Sequence, residues 1–203
     1  MNSILATLNS SAQVATKMVQ DAHKTDSSGS YLRSPDEREV IAEACFMRLF
    51  IALEEYFEAA FGHYLMGGVS TSGWAPVAYA SPPTLEHGHN MLIGLMRFVD
   101  WSTSESVRRL ARLYFKDGEP FDSPLASAVS DLQDMKTVRN AAAHVSRTTT
   151  APLDALYRRW TGSPRQGVSA YEMILATGHA SGASFLARAD AVVSSIGSQI
   201  ANR

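Results

Sequence analysis

The chain is poor in cysteine, in long apolar runs and in any excess of one charge. Its 203 residues hold one cysteine, Cys45. A single thiol excludes an internal disulfide and leaves no cysteine set for a metal. Lying in a hydrophobic helical stretch, Cys45 reads as a small buried hydrophobe. No apolar run reaches the roughly 18 residues that a membrane-crossing helix needs. The segment from Met1 to Asn9 has neither a basic start nor an unbroken apolar stretch, so it does not read as a secretory leader. The expectation is a cytoplasmic protein without a membrane partner. With 18 Lys and Arg against 20 Asp and Glu the formal net charge is −2, so any binding of nucleic acid must come from a local basic patch. A glycine-rich phosphate loop, a Gly-x-Ser-x-Gly elbow and a His-Glu-x-x-His helix are all missing, which argues against the commoner nucleotide-binding and hydrolase classes. His87-Gly88-His89 has the look of a metal pair, but no cysteine or carboxylate cluster completes it and the glycine suggests a loop. No metal and no cofactor is expected, and His63 and His179 read as structural.

What is present is helical patterning. Apolar positions at Ile4, Leu8, Ala12, Ala15, Val19 and Ala22 predict a helix over about 3–23, followed by a loop at Asp26–Ser30. Ser34-Pro35-Asp36-Glu37 combines a cap, a proline at the first helical position and a capping-box glutamate. The helix it opens should run to Met66, where Gly67-Gly68 stops it, a span of about 45 Å at 1.5 Å per residue. It carries two apolar rows. Val40, Ala44, Met47 and Ile51 form one; Phe46, Phe50, Leu53, Phe57, Phe61 and Tyr64 form the other. Either the core is thick or a partner subunit covers the excess. Residues 67–90 are rich in glycine, serine and proline and predict a long connection, with a short helix over about 85–98. Ser102 to Glu105 is a second capping-box pattern, opening a helix with Val107, Leu110, Ala111 and Tyr114 inward and Arg108, Arg112 and Lys116 outward. Ser123-Pro124 opens the next helix, with Leu125, Val129, Leu132, Val138 and Ala142 as its buried row. A break at 148–152, a short helix over 153–160, a loop at 161–167 and a last helix over about 181–201 complete the chain. No strand alternation of useful length appears. The fold class read from this is all-α, a helical bundle of about four main helices plus short ones, in a single domain over 1–203.

Near the end of one helix stands Arg139-Asn140-Ala141-Ala142-Ala143-His144. Three alanines favour helix and leave nothing between the polar groups. On an ideal helix Asn140 and His144 share a face, whereas Arg139 and His144 lie about 140° apart at 100° per residue. An ending helix or a large substrate would bring those two to one place. Arginine offers a charged fork matched to phosphate oxygens, and histidine moves protons near neutral pH. RNA supplies its own nucleophile, the 2′-hydroxyl, so cleavage needs proton transfer and stabilisation of charge on phosphorus. Arg147, Arg158, Arg159 and Arg165 follow the string, and Arg108, Arg109, Arg112 and Lys116 form another basic group. Either could meet RNA phosphates. Trp160 is placed to stack a base or to fill the core.

An Arg-Asn-x-x-x-His string late in an all-helical chain resembles the signature of HEPN-domain proteins, many of them RNA-cleaving toxins or defence nucleases. The resemblance is carried by Arg139, Asn140 and His144 and by the helical context; Val145 and Ser146, which follow, carry no further catalytic residue over. It implies a homodimer with a composite cleft in which Arg139 and His144 of both chains face RNA. The reaction it implies is metal-independent endoribonucleolytic cleavage that leaves a 2′,3′-cyclic phosphate and a 5′-hydroxyl. Arg139 would bind the scissile phosphate, His144 would act as acid or base, and Asn140 would orient the histidine or cap its helix. Arg147, Arg158, Arg159, Arg108 and Arg112 would hold the RNA. A toxin paired with an antitoxin protein, or an anti-phage effector, is the setting this implies. The alternative is a non-catalytic HEPN-like protein that works through protein–protein contacts, or an unrelated all-α binding domain in which Arg139 and His144 point into different environments.

Overall fold

The computed structural model describes residues 1–94, 98–144 and 146–203. Among these residues the chain is all-α, with no strand and only isolated bridges. Its helices are α1 (Asn2–Ala22), α2 (Pro35–Leu65), α3 (Leu85–Ile93), α4 (Ser104–Tyr114), α5 (Asp122–Ser127), α6 (Val129–Ala143), α7 (Arg147–Thr161), α8 (Ala170–Leu175) and α9 (Phe185–Ala201), with one 3-10 turn at Lys116–Gly118. They pack as two compact units interleaved along the sequence. The first holds Met1–Asn9, Ala52–Leu132 and Val193–Arg203; the second holds Ser10–Ile51 and Gln133–Val192.

The capping box expected at Ser34 forms. The Glu37 carboxylate accepts from the Ser34 amide at 2.8 Å, and the Ser34 hydroxyl accepts from the Glu37 amide at 3.2 Å, so two orphan donors of the first turn of α2 are satisfied. The row from Phe46 to Tyr64 is buried along its whole length. The other row is not taken into the core. Val40 is 65% exposed and Ala44 is exposed, while Met47 and Ile51 are half-buried.

In the first unit the core is aromatic. Phe61 is fully buried, with Phe115, Phe121 and Trp101 at 5.0, 5.1 and 5.7 Å between ring centroids. Such tilted and stacked pairs add to the area they bury. The phenols of Tyr56 and Tyr64 donate to the carbonyls of Gly197 and Ile200, each at 2.8 Å, and so tie α2 to α9. Burial pushes the Tyr64 hydroxyl up to about 12. Gly197 admits Leu8, whose Cδ2 would lie 2.6 Å from any added Cβ. The connection after α2 is anchored by its backbone, with the Thr71 amide on the Ala201 carbonyl at 2.8 Å, Tyr79 on Tyr114 at 2.8 Å and Lys116 on Val77 at 2.9 Å. It is therefore an ordered strap.

In the second unit Phe185 meets Phe46 at 5.9 Å and Trp160 at 5.4 Å. The Trp160 indole donates to the Ala176 carbonyl at 2.9 Å. His23 stacks on Tyr171 at 5.8 Å and shares a 3.0 Å hydrogen bond with its hydroxyl. Burial, aided by Glu39, raises the Glu43 carboxyl above its usual range.

Several boundaries differ from expectation. The helix begun by Ser123-Pro124 is two, α5 and α6, because Ala128 leaves helical geometry at φ −109°, ψ 10°; Val129 is then 41% exposed. Ser102 and Thr103 do not cap α4, since both hydroxyls donate to Asp100, at 2.6 and 2.7 Å. The break expected at 148–152 is helix. A capping box between Ser146 and Thr149 starts α7 there and carries it through Pro152. The last helix begins at Phe185, after a bridge between Thr177 and Ser184. The helix expected over 85–98 ends at Ile93 with Gly94 at φ 54°, and positions 95–97 of that expectation lie outside the described residues.

Candidate functional site

Helix α6 presents the motif from its last turn. Met135, Val138 and Ala141 are buried, a spacing of three that faces one stripe inward and leaves Arg139 and Asn140 half-buried beside it. The helix ends at Ala143 and His144 is the first residue beyond it. Its amide still donates to the Asn140 carbonyl at 3.0 Å. Its carbonyl accepts from the Thr149 hydroxyl at 2.6 Å, and that oxygen in turn accepts from the Ser146 amide at 3.0 Å. The backbone of His144 is thus held from both sides, by the end of α6 and by the cap of α7. Its side chain is exposed, and the imidazole has no hydrogen-bond partner among the described residues.

Arg139 is fixed differently. One Nη1 proton goes to the Asn140 amide oxygen at 3.2 Å, and the guanidinium carbon lies 5.9 Å from the centre of the Phe50 ring. Its Nε is buried and has no hydrogen-bond partner. A planar cation beside an aromatic ring is held in orientation as well as in place. The structure brings Arg139 and Asn140 into direct contact. It does not put the Asn140 side chain on the His144 ring: the nearer donor, one residue away, takes the amide oxygen. Asn140 therefore orients the arginine.

The basic residues fall into two kinds. Arg108 and Arg112 both pair with Asp122, at 3.0 and 2.8 Å on the same carboxylate oxygen, and Arg108 also approaches Glu105 at 3.5 Å. Their charge is met in part within the first unit by these carboxylates. Arg159 is bound to Asp134. Arg165 is bound to Tyr157 and Glu172, which hold its guanidinium charge more firmly. Arg147 and Arg158 are exposed and form no ion pair among the described residues. Arg158 lines a surface cleft with Asp154 and Arg165, where the Asp154 carboxylate accepts from the amides of Gly167 and Val168 at 3.1 and 2.9 Å. Trp160 is a core residue, its indole satisfied and its ring against Phe185.

His87 and His89 lie on α3, not in a loop. Gly88 between them is buried where a Cβ would meet Pro82 at 3.2 Å. Their rings go to different partners, Thr84 for His87 at 2.8 Å and Glu58 for His89 at 3.5 Å. Among the described residues no group of three His, Cys, Asp or Glu is gathered as a metal site. His63 and His179 bond backbone carbonyls, of Val69 and Trp160, each at 2.9 Å. Cys45 is buried, and burial pushes its thiol up.

The residue that sequence reasoning passed over is Thr149. Its signal was there, as a Ser-x-x-Thr spacing immediately after the motif, but three threonines and a proline read as a break. No protein-family model matches the chain, and no curated protein or solved structure does either. No described helix is long and apolar enough to cross a membrane.

Proposed function

We propose that the chain is a metal-independent endoribonuclease of HEPN type, working in the cytoplasm as a toxin or anti-phage effector and held in check by a partner antitoxin. The observation that carries the reading is that one helix end carries both an arginine oriented by Asn140 and an exposed histidine whose backbone is clamped. The Arg139 fork would take a non-bridging oxygen of the scissile phosphate and stabilise the added charge on phosphorus. His144 would remove the 2′-hydroxyl proton or protonate the departing 5′-oxygen. One chain offers one such histidine, and acid and base are both needed, so the proposal includes a two-fold dimer. Val40 and Ala44, the exposed start of the second apolar row of α2, support a surface used in association. Arg147 and Arg158, without ion partners among the described residues, are the first residues proposed to meet RNA; Arg108 and Arg112 would share their charge with Asp122, and Arg159 with Asp134.

One observation favours the non-catalytic reading, in which the motif shapes a protein-binding surface: the Arg139 guanidinium already has Asn140 and Phe50 as neighbours. The two readings separate in one assay. Purified protein is incubated with mixed-sequence RNA in EDTA, beside His144→Ala, and the ends are analysed. The expected result is cleavage with cyclic-phosphate ends, lowered about 10²–10⁴-fold in the variant with its unfolding midpoint unchanged. No cleavage of several RNAs by well-folded wild-type protein would reject catalysis.

A further inference from the structure

Within the first unit, α2 and α3 enclose a cavity of about 620 Å³ that the RNA-cleaving reading does not use. Its walls are mostly apolar, with Ile4 from α1, Leu65 and Met66 from the end of α2, and Leu85 and Leu92 from α3. Gly62 and Gly88, both in the wall, let α2 and the 82–85 segment approach closely: a Cβ on Gly62 would meet Leu85 at 3.1 Å, and one on Gly88 would meet Pro82 at 3.2 Å. The volume is that of a small-molecule site. Leu85 and Met66 remain 62% and 41% exposed, an apolar rim that no described part of the chain covers, and methionine adapts to irregular ligands.

The polar side chains of the wall are three, Glu58, His63 and His89. The His63 Nε2 lies 2.9 Å from the Val69 carbonyl, which can only accept, so that nitrogen donates to it. Gly68 makes room for the ring in this pose, since an added Cβ would sit 2.4 Å from Nε2. His89 Nδ1 lies 3.5 Å from the Glu58 carboxylate, which accepts only. An apolar chamber whose polar wall carries one carboxylate suits an apolar body with a donating, positively charged head.

We infer that this cavity binds a small amphiphilic amine, its hydrocarbon part against Ile4, Leu65 and Leu92 and its ammonium at Glu58. The inference stands apart from the nuclease reading. n-Decylamine, decanol and decanoate, used below their micelle concentrations, share the body and differ in the head. Calorimetric titration should show the amine binding about fivefold tighter than decanoate, the scale of a half-exposed ion pair. Glu58→Gln should erase that preference while all three still bind. Ala59→Phe, at an exposed position that projects a ring into the chamber, should weaken all three roughly tenfold or more with unchanged melting. Met66→Trp obstructs the same space from the other side and stands in if the first variant melts early. Absence of binding by all three probes, or decanoate bound as tightly as the amine, overturns the proposal.

Discussion

Replacing Arg139 by methionine separates a functional arginine from a structural one. Methionine keeps the straight stem and its packing near Phe50, and its sulfur can lie against an aromatic edge. The change removes the 3.2 Å bond to Asn140 and the ring contact at 5.9 Å. A hydrogen bond from a charged donor contributes about 1.5–3 kcal/mol. A partly exposed cation–ring contact contributes about 0.5–1 kcal/mol. Against this stands the buried Nε, which has no partner. A desolvated, unsatisfied donor costs about 1–3 kcal/mol, and that cost disappears with the arginine. The terms nearly cancel, and the expected loss of stability is under about 1.5 kcal/mol. In urea, with a slope of about 2 kcal/mol per molar, the unfolding midpoint should fall by less than about 0.7 M. RNA cleavage, by contrast, should drop about 10²–10³-fold, as removal of one transition-state donor does elsewhere. A midpoint lowered by 1.5 M or more, or cleavage within a fewfold of wild type, would refute the reasoning, because the arginine would then be holding the fold together and not the phosphate.

The two buried tyrosines make a matched pair. The Gly197 carbonyl lies in the interior of α9 and keeps its helical partner when Tyr56→Phe removes the phenol, whereas the Ile200 carbonyl is in the last turn and loses its bond in Tyr64→Phe. Tyr64→Phe should cost about 1–2 kcal/mol more than Tyr56→Phe in chemical unfolding, and equal costs would mean the last turn finds another donor. Asp122→Ala leaves Arg108 and Arg112 without their carboxylate; it should destabilise the protein by about 2 kcal/mol and raise RNA affinity at low salt, and unchanged affinity would show those cations point away from any bound strand. For Glu43 the folded carboxyl sits above its unfolded value because burial disfavours the charge. Its favourable contribution is therefore complete below the unfolded value of about 4.3 and is lost as pH rises through the higher folded one. Glu43→Gln should raise the melting temperature at pH 7 and make no difference at pH 3.5; a gain of equal size at both pH values would assign the effect to something other than ionisation.

The parts of the fold that could be read in advance were those where several local signals agreed. The start and end of α2 were legible because a capping box, a first-turn proline and a glycine pair each marked a boundary. The parts misread were decided by competition between signals. At Ser102 and Thr103 the capping spacing was present, but both hydroxyls donate to Asp100 and neither caps the helix. At 148–152 poor helix formers suggested a break, and a cap that satisfies the first turn outweighed them. The two apolar rows of α2 looked equivalent in spacing, yet only the aromatic one met neighbours large enough to bury it. Arg139, Asn140 and His144 could be picked out because the types are chemically unusual together. The partners that set their roles could not, since Asn140 bonding Arg139 and Thr149 holding the His144 carbonyl depend on where the helix ends. The neutralisation of Arg108 and Arg112 depends on Asp122, fourteen residues from Arg108 along the chain.

The placement of His144 one step past the end of α6 makes the three alanines a matter of phase. Each residue advances about 100° and 1.5 Å along a helix. Deleting one of Ala141–Ala143 would swing the imidazole through more than a quarter turn about the axis, though every chemical group of the motif would survive. Composition alone would not register such a lesion. The spacing between arginine and histidine is in this sense an angular setting, one that changes of three or four residues nearly restore and changes of one or two do not.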